Sequence, residues 1–179
     1  MTVKKKLVGF AGSNSSQSIN RKLVNSVLQH FPGCEIKLLD LNDFEMPIFS
    51  VDREKNDGFP EQAYLFRKFM HEADGIVCSM AEHNRSYTVA FKNVLDWCSR
   101  IDMDIFGKKP MLLMSTSTGG FGGGNVMNSA KSLFPRCGAE VIDIFSLPSF
   151  GQNFSDNQIS NEELNKELLQ KIDNFSKAL

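Results

Sequence analysis

Five apolar runs of strand length, interleaved with helix-period patterns, constrain this 179-residue chain more than any other feature of it. The runs begin at Leu7 (LVGFAG), Glu35 (EIKLLDL), Gly75 (GIVCSM), Pro110 (PMLLMST) and Ala139 (AEVIDIF), and none alternates polar with apolar residues over its whole length. Strands apolar on both faces belong in a parallel sheet covered on both sides. Elsewhere apolar residues recur at spacings of three and four: Leu23, Val24, Val27 and Leu28; Ala63, Phe66 and Met70; Tyr87, Ala90, Phe91, Val94, Leu95 and Cys98; Leu164, Leu168, Ile172 and Phe175. Such spacing marks helices with one buried stripe. Strand alternating with helix predicts a doubly wound α/β fold with right-handed crossovers, whose ligand-binding residues collect at the carboxyl ends of the strands.

The length suits one core, and residues 1–179 are expected to form a single domain. A hydrophobic content of 41% and a net charge of -1 give no field for nucleic acid or an anionic membrane surface. No membrane span is expected, and the apolar part of MTVKKKLVGFAG is too short for a signal peptide. Cys34, Cys78, Cys98 and Cys137 lie far apart, without metal-ligand spacing, so neither a metal site nor a disulfide framework is expected. Reduced, buried cysteines fit a cytoplasmic protein.

Polar short side chains crowd where the first strand hands over to the first helix: GSNSSQSIN, residues 12–20. A helix start offers unpaired N–H groups and the positive end of its dipole, and neutral hydroxyl and amide donors around it suit a phosphate. Ser18 or Asn20 as a plain N-cap to a helix beginning at Arg21 is the simpler reading, but one cap needs one such residue. Neither the nucleotide-triphosphate loop nor the dinucleotide fingerprint is present. Two other strand ends are polar in the same way: AEHNRSYT after the third run and STSTGGFGGGN after the fourth. Loops after strands one, three and four meet at the switch point of a flavodoxin-like sheet ordered 2-1-3-4-5, where a planar ligand with a phosphate tail fits. The stretch from Asn42 to Phe59 is the longest irregular segment, expected to be disordered or part of the site.

These residues resemble the NAD(P)H-dependent FMN reductases, with their azoreductase-, quinone reductase- and chromate reductase-like members, from about Leu7 to Leu147. That family's first loop, G-S-x-R-x-x-S-x-N, is matched by Gly12, Ser13, Ser18 and Asn20, with Ser15 where arginine is usual. Its P-E-Y-N-G-S loop is matched by Ala81, Glu82, His83, Asn84, Arg85 and Ser86, and the following K-N-A-I-D-W by Lys92 to Trp97. Its S-T-S-x-G-G loop stands intact from Ser115 to Gly120. The resemblance implies bound FMN, reduced by NADPH or NADH and reoxidised by a small acceptor in ping-pong fashion. It implies cofactor contacts from Ser13, Ser15, Ser18, Ile19 and Asn20, from Ala81, Glu82, His83, Asn84 and Ser86, and from Ser115, Thr116, Ser117, Gly119 and Gly120. The flavin carries the chemistry, so no catalytic protein residue is expected. It also implies a homodimer or homotetramer in which a neighbour walls the flavin, with Met46 to Ser50 and Phe59 as candidate contact surface.

The departures bear on substrates. Arg85 replaces a glycine: either the position needs a positive φ and arginine strains it, or a guanidinium stands near the mouth of the site and meets a nucleotide phosphate or an anionic acceptor. Phe91 and Trp97 are expected to pack within a helix, Cys78 to be core, and Asp102 and Asp104 to lie in a solvated loop. A different class, an electron-carrying flavodoxin or a flavin-binding module without turnover, would be more acidic than this chain.

Overall fold

The computed structural model describes residues 4–179. Five parallel strands, β1 (Lys6–Ala11), β2 (Glu35–Leu39), β3 (Gly75–Met80), β4 (Lys109–Thr116) and β5 (Ala139–Leu147), form one sheet in the order β2-β1-β3-β4-β5. That is the 2-1-3-4-5 order expected, and its reversal point lies between β1 and β3. Six helices of seven residues or more accompany it among the described residues, besides a single turn at Phe150–Asn153: α1 (Ile19–Leu28), α2 (Val51–Asp57), α3 (Glu61–Glu72), α4 (Val89–Ile101), α5 (Gly124–Leu133) and α6 (Glu162–Ala178).

The double-sided runs have the predicted cause. Leu7, Val77, Leu112, Met114, Phe145 and Leu147 face a core shared with Leu23, Val24 and Val27 of α1 and with Leu168, Ile172 and Phe175 of α6. Their sequence neighbours Val8, Phe10, Ile76, Cys78, Met111 and Leu113 face the other core, closed by Phe66 and Met70 of α3, Phe91 and Trp97 of α4, and Val126 and Ala130 of α5. Period-two side-chain alternation thus divides β1, β3 and β4 between two apolar layers, whereas Glu35, Ile36 and Lys37 of the edge strand β2 are exposed, against the expectation for that run. Phe91, Trp97 and Cys78 are buried as expected.

Three local expectations fail for identifiable reasons. Residues 42–59 are irregular only at 45–50 and 58–59: a 3-10 turn spans Leu41–Phe44 and α2 follows. The link between them is pinned from α4, where Asn93 Oδ1 accepts from Phe49 N–H (2.9 Å), Asn93 Nδ2 donates to Met46 O (3.0 Å), and Trp97 Nε1 donates to Pro47 O (2.7 Å). The first helix starts at Ile19, two residues before Arg21, because Ser18 is its cap. Asp102 and Asp104 do more than meet solvent. Asp102 pairs with Arg67 at 3.2 Å, while Asp104 Oδ1 accepts from Gly107 N–H (2.8 Å) and its carbonyl oxygen lies 2.9 Å from His71 Nε2.

Register brings the three polar loops together. Ala11 pairs beside Ser79, and Met80 beside Ser115, so the chains leaving β1, β3 and β4 emerge side by side at one edge of the sheet.

Candidate cofactor site

The first loop leaves β1 with Gly12 N–H donating to Ser79 O (2.8 Å). It closes on itself through Ser15 N–H to Ser13 Oγ and Gln17 N–H to Ser15 Oγ, both 3.2 Å. Ser18 Oγ then caps α1 by accepting from Arg21 N–H (3.2 Å). Asn20 is 3% exposed, and its amide is committed inside the protein. Oδ1 accepts from Thr116 N–H (3.0 Å) and from Ser79 Oγ (2.7 Å), while Nδ2 donates to Thr116 O (3.1 Å). One amide thereby reads both backbone groups of Thr116, as a neighbouring strand would. The excess of hydroxyls and amides therefore splits between shaping the loop and facing outward. The backbone N–H groups of Ser13, Asn14, Ser16, Ile19 and Asn20 find no acceptor among the described residues. These are the donors an anion would meet, at the positive end of the α1 dipole.

The second loop is a two-residue hairpin: strands Glu82–His83 and Ser86–Tyr87 pair antiparallel, with Asn84 and Arg85 at the turn. Both turn residues have positive φ, +50° and +64°, the type I′ arrangement in which the second position strongly favours glycine. Position 85 does take the positive φ, so Arg85 sits there under strain. The hairpin is fixed from three sides. Glu82 accepts from Asn125 Nδ2 (3.0 Å) and from Val126 N–H (2.8 Å) at the start of α5, an anion on a helix N-terminus. Tyr87 stacks on Phe134 at 6.2 Å and 7°. Thr88 caps α4 and donates from Oγ1 to Gly12 O (2.9 Å), tying this loop to the first. Burial pushes the Tyr87 phenol above its ordinary pKa.

At the start of the third loop Ser115 and Thr116 turn inward. Ser115 Oγ donates to Gly122 O (2.8 Å) and lies 2.9 Å from Ser146 Oγ, and Thr116 Oγ1 donates to Leu147 O (2.8 Å). Gly122 and Gly123 sit at φ +61° and +80°; a Cβ on Gly123 would stand 3.1 Å from Ser115 Cβ, and one on Gly122 would stand 3.2 Å from the Leu147 carbonyl. That close return brings α5 to Glu82. The N–H groups of Ser117, Thr118, Gly119 and Gly120 have no acceptor among the described residues.

Between the loops lies a crevice of about 240 Å³ lined by Ser13, Ser15, Ser18, Ile19, Asn20, Ala81, Glu82, His83, Thr116 and Ser117, together with Gln17 and Thr118. Ten of the expected cofactor contacts are thus brought together. Asn84, Arg85, Ser86, Ser115, Gly119 and Gly120 do not line it: the first three form the far end of the hairpin, Ser115 is wholly buried beneath, and the glycines stand at the outer rim. A second crevice of about 310 Å³, with Leu41, Phe44, Met46 and Val89 in its walls, shares His83 with the first. Sequence reasoning missed Ser79, Thr88, Asn125 and Ser146, which hold the loops without facing the crevice. A lone serine or threonine at a strand or helix end carries no signal of that role.

The family model described as NADPH-dependent FMN reductase matches residues 5–153. The chain belongs to that family. Among curated members, an NAD(P)H:quinone oxidoreductase of Solanum tuberosum is 34% identical over 123 residues, covering 66% of this chain and 61% of that protein. A quinone reductase of Escherichia coli K12 is 28% identical over 144 residues, covering 80% and 76%. The fold agrees with that of the Paracoccus denitrificans flavoenzyme FerB, an NAD(P)H:(acceptor) oxidoreductase, at a TM-score of 0.72 and 22% identity, covering 97% of this chain and 98% of that one. The chain spans less than two thirds of the length of the Solanum protein, and the family match ends before α6 begins.

Proposed function

We propose that this FMN reductase family member is an FMN-dependent NAD(P)H oxidoreductase. It passes hydride equivalents from NADPH or NADH to a small acceptor such as a free flavin, a quinone or an azo compound, within one flavodoxin-like domain spanning residues 1–179. The observation that carries this reading is that Ser13, Ile19 and Asn20 of the first loop and Ser117 and Thr118 of the third, all with unpartnered backbone N–H groups, line one crevice at the switch point of the sheet. The donor set fits FMN: a terminal phosphate suits the N–H groups of residues 13–20, and a ring edge rich in acceptors suits those of residues 117–120. FMN, when bound there, supplies the hydride chemistry.

The protein's part is positioning. Ser18 holds the first turn of α1 so that the Ile19 and Asn20 N–H groups point outward, and Asn20 fixes that turn against β3 and β4. Glu82 sets the hairpin against α5 and so fixes Ala81, Glu82 and His83 in the crevice wall. Thr116, tied to Leu147, holds the start of the third loop, where Ser117 keeps its N–H free while its Oγ donates to Gly119 O (3.2 Å). His83 stands in the shared wall of both crevices, where reductant and acceptor would enter in turn, which is the requirement of ping-pong turnover.

A homodimer or homotetramer fits the second crevice, whose rim carries the exposed apolar side chains of Ile48 (67%) and Val89 (72%). Of the rest of Met46 to Ser50 and Phe59, Met46, Phe49 and Phe59 serve the chain's own core, with Met46 buried and Phe49 edge-on to Trp97 at 5.1 Å. No helix among the described residues is long and apolar enough to cross a membrane, in keeping with a cytoplasmic enzyme. The test is direct. Purified protein should bind FMN saturably and more tightly than FAD, and should oxidise NADPH when a quinone is added. Protein that binds no FMN refutes the cofactor, and flavin-loaded protein that does not turn over refutes the enzyme.

A further inference from the structure

Arg85 stands in a conformation that arginine disfavours. At φ +64° in a two-residue turn its Cβ crowds the backbone, a strain that glycine at the same position would lack. The turn has no freedom to relax, because Glu82, Tyr87 and Thr88 fix the hairpin to α5, Phe134 and Gly12. Backbone strain held in place by its surroundings, beside a binding crevice, points to a function for the side chain that imposes it.

Charge says what that function is. Across residues 12–20, 81–88 and 115–124, the three segments that frame the crevice, Arg85 is the one lysine or arginine. The neighbouring Arg21 is paired with Asp40, and Arg67 and Arg100 are paired with Asp102 and Glu54. Arg85 is exposed and has no acidic partner among the described residues. It does not line the crevice itself but stands in the hairpin turn two residues beyond His83, which does, and on a different loop from the one where a flavin phosphate fits. A nicotinamide nucleotide carries several phosphate charges into this mouth at every turnover, whereas quinones carry none.

We propose that Arg85 is a specificity-determining residue that captures the phosphate groups of the incoming nicotinamide nucleotide, at the expense of conformational strain in its turn. The inference rests on the flavin-reductase reading of the same crevice. A planar guanidinium suits the task, since it pairs two phosphate oxygens at once.

The Arg85→Gly variant tests both halves. Flavin-free variant should melt about 2 to 4 °C above the parent protein as strain is relieved. At low ionic strength its KM for NADPH should rise about three- to fivefold, the reach of an exposed ion pair. The NADP⁺ dissociation constant of the oxidised, flavin-loaded protein should weaken by the same factor, and both differences should vanish at about 0.5 M salt. The FMN dissociation constant, kcat at saturating NADPH and KM for a neutral quinone should not change. A loss confined to NADPH assigns the contact to the 2′-phosphate; an equal loss with NADH assigns it to the pyrophosphate. Unchanged NADPH kinetics overturns the proposal, as does a loss seen only with a sulfonated acceptor, and weakened FMN binding places Arg85 on the cofactor instead. A melting point that fails to rise overturns the strain argument. Parent protein that binds no FMN refutes the parent reading, an outcome distinct from all of these.

Discussion

Replacing Asn20 with alanine separates two roles that the polar first loop combines. If Asn20 were chiefly a ligand to the cofactor, its loss would weaken FMN binding and leave the flavin-free protein intact. The structure assigns it to the framework. Truncation removes three hydrogen bonds, of 2.7, 3.0 and 3.1 Å, and leaves Ser79 Oγ and both backbone groups of Thr116 without these partners. Ser79 and Thr116 are 0% and 1% exposed, so water does not replace what is lost. At roughly 1 to 3 kcal/mol for each stranded polar group, with partial relaxation, the loss is about 3 to 5 kcal/mol. Against total stabilities of about 5 to 15 kcal/mol this is severe, and it corresponds to a melting point lower by roughly 6 to 20 °C. Denaturant titration of flavin-free parent and variant, with equal m-values, measures it. A double-mutant cycle with Ser79→Ala should recover about 1 kcal/mol or more, because the hydroxyl stranded by Asn20→Ala is then absent. A variant of parental stability whose only defect is in FMN affinity refutes the framework role.

Glu82→Gln keeps shape but loses the charge on the α5 N-terminus and one of two acceptors, and should cost about 1 to 2 kcal/mol while weakening FMN binding measured by flavin fluorescence. Asn93→Ala should release the segment around Met46 to Phe49, read as faster amide exchange and proteolysis there before any global unfolding. Burial raises the Asp143 pKa, but Lys171 at 2.8 Å, Asn174 and the Ile144 N–H outweigh it, so the folded value lies below 3.8. The stability that the Asp143 carboxylate contributes is therefore complete above about pH 4 and lost as pH falls through the folded value, and Asp143→Asn should flatten acid denaturation in that window. Burial pushes the Cys98 thiol up to about 12 and raises those of Cys78 and Cys137 as well, so native protein should take up one equivalent of a thiol reagent, at the half-buried Cys34.

The sheet and its order were legible because the central strands had to be apolar on two sides, and the three loops because their polarity interrupts that pattern; the edge strand β2, exposed from Glu35 to Lys37, follows the rule least. What the letters did not show is direction. Ser115, Thr116 and Asn20 carry the same groups whether they face a ligand or their own backbone, and the partners that decide it are 7 to 96 residues away. Helix α5 escaped notice because it starts in a glycine cluster and buries only Val126, Met127 and Ala130. The anchoring of residues 46–49 escaped for the reason Asn20 did: Asn93 and Trp97, 44 to 50 residues downstream, supply the bonds. The turn at Asn84 and Arg85 joins two-residue strands, too short for any periodicity, and without a glycine it lacks the usual hairpin signal.

The bonds that tie the first loop to the rest of the crevice also order its making. Asn20 reaches 59 residues forward to Ser79 and 96 forward to Thr116, and Gly12 waits 76 residues for Thr88. A ribosome delivers those partners in sequence, so a nascent chain holding β1, α1 and β2 has a first loop whose shape nothing yet enforces. Only after β4 clears the exit tunnel does the loop acquire its fixed form. If the crevice holds the proposed flavin, its loading follows the synthesis of β4, and a chain stalled before Thr116 lacks the partners that shape the first loop.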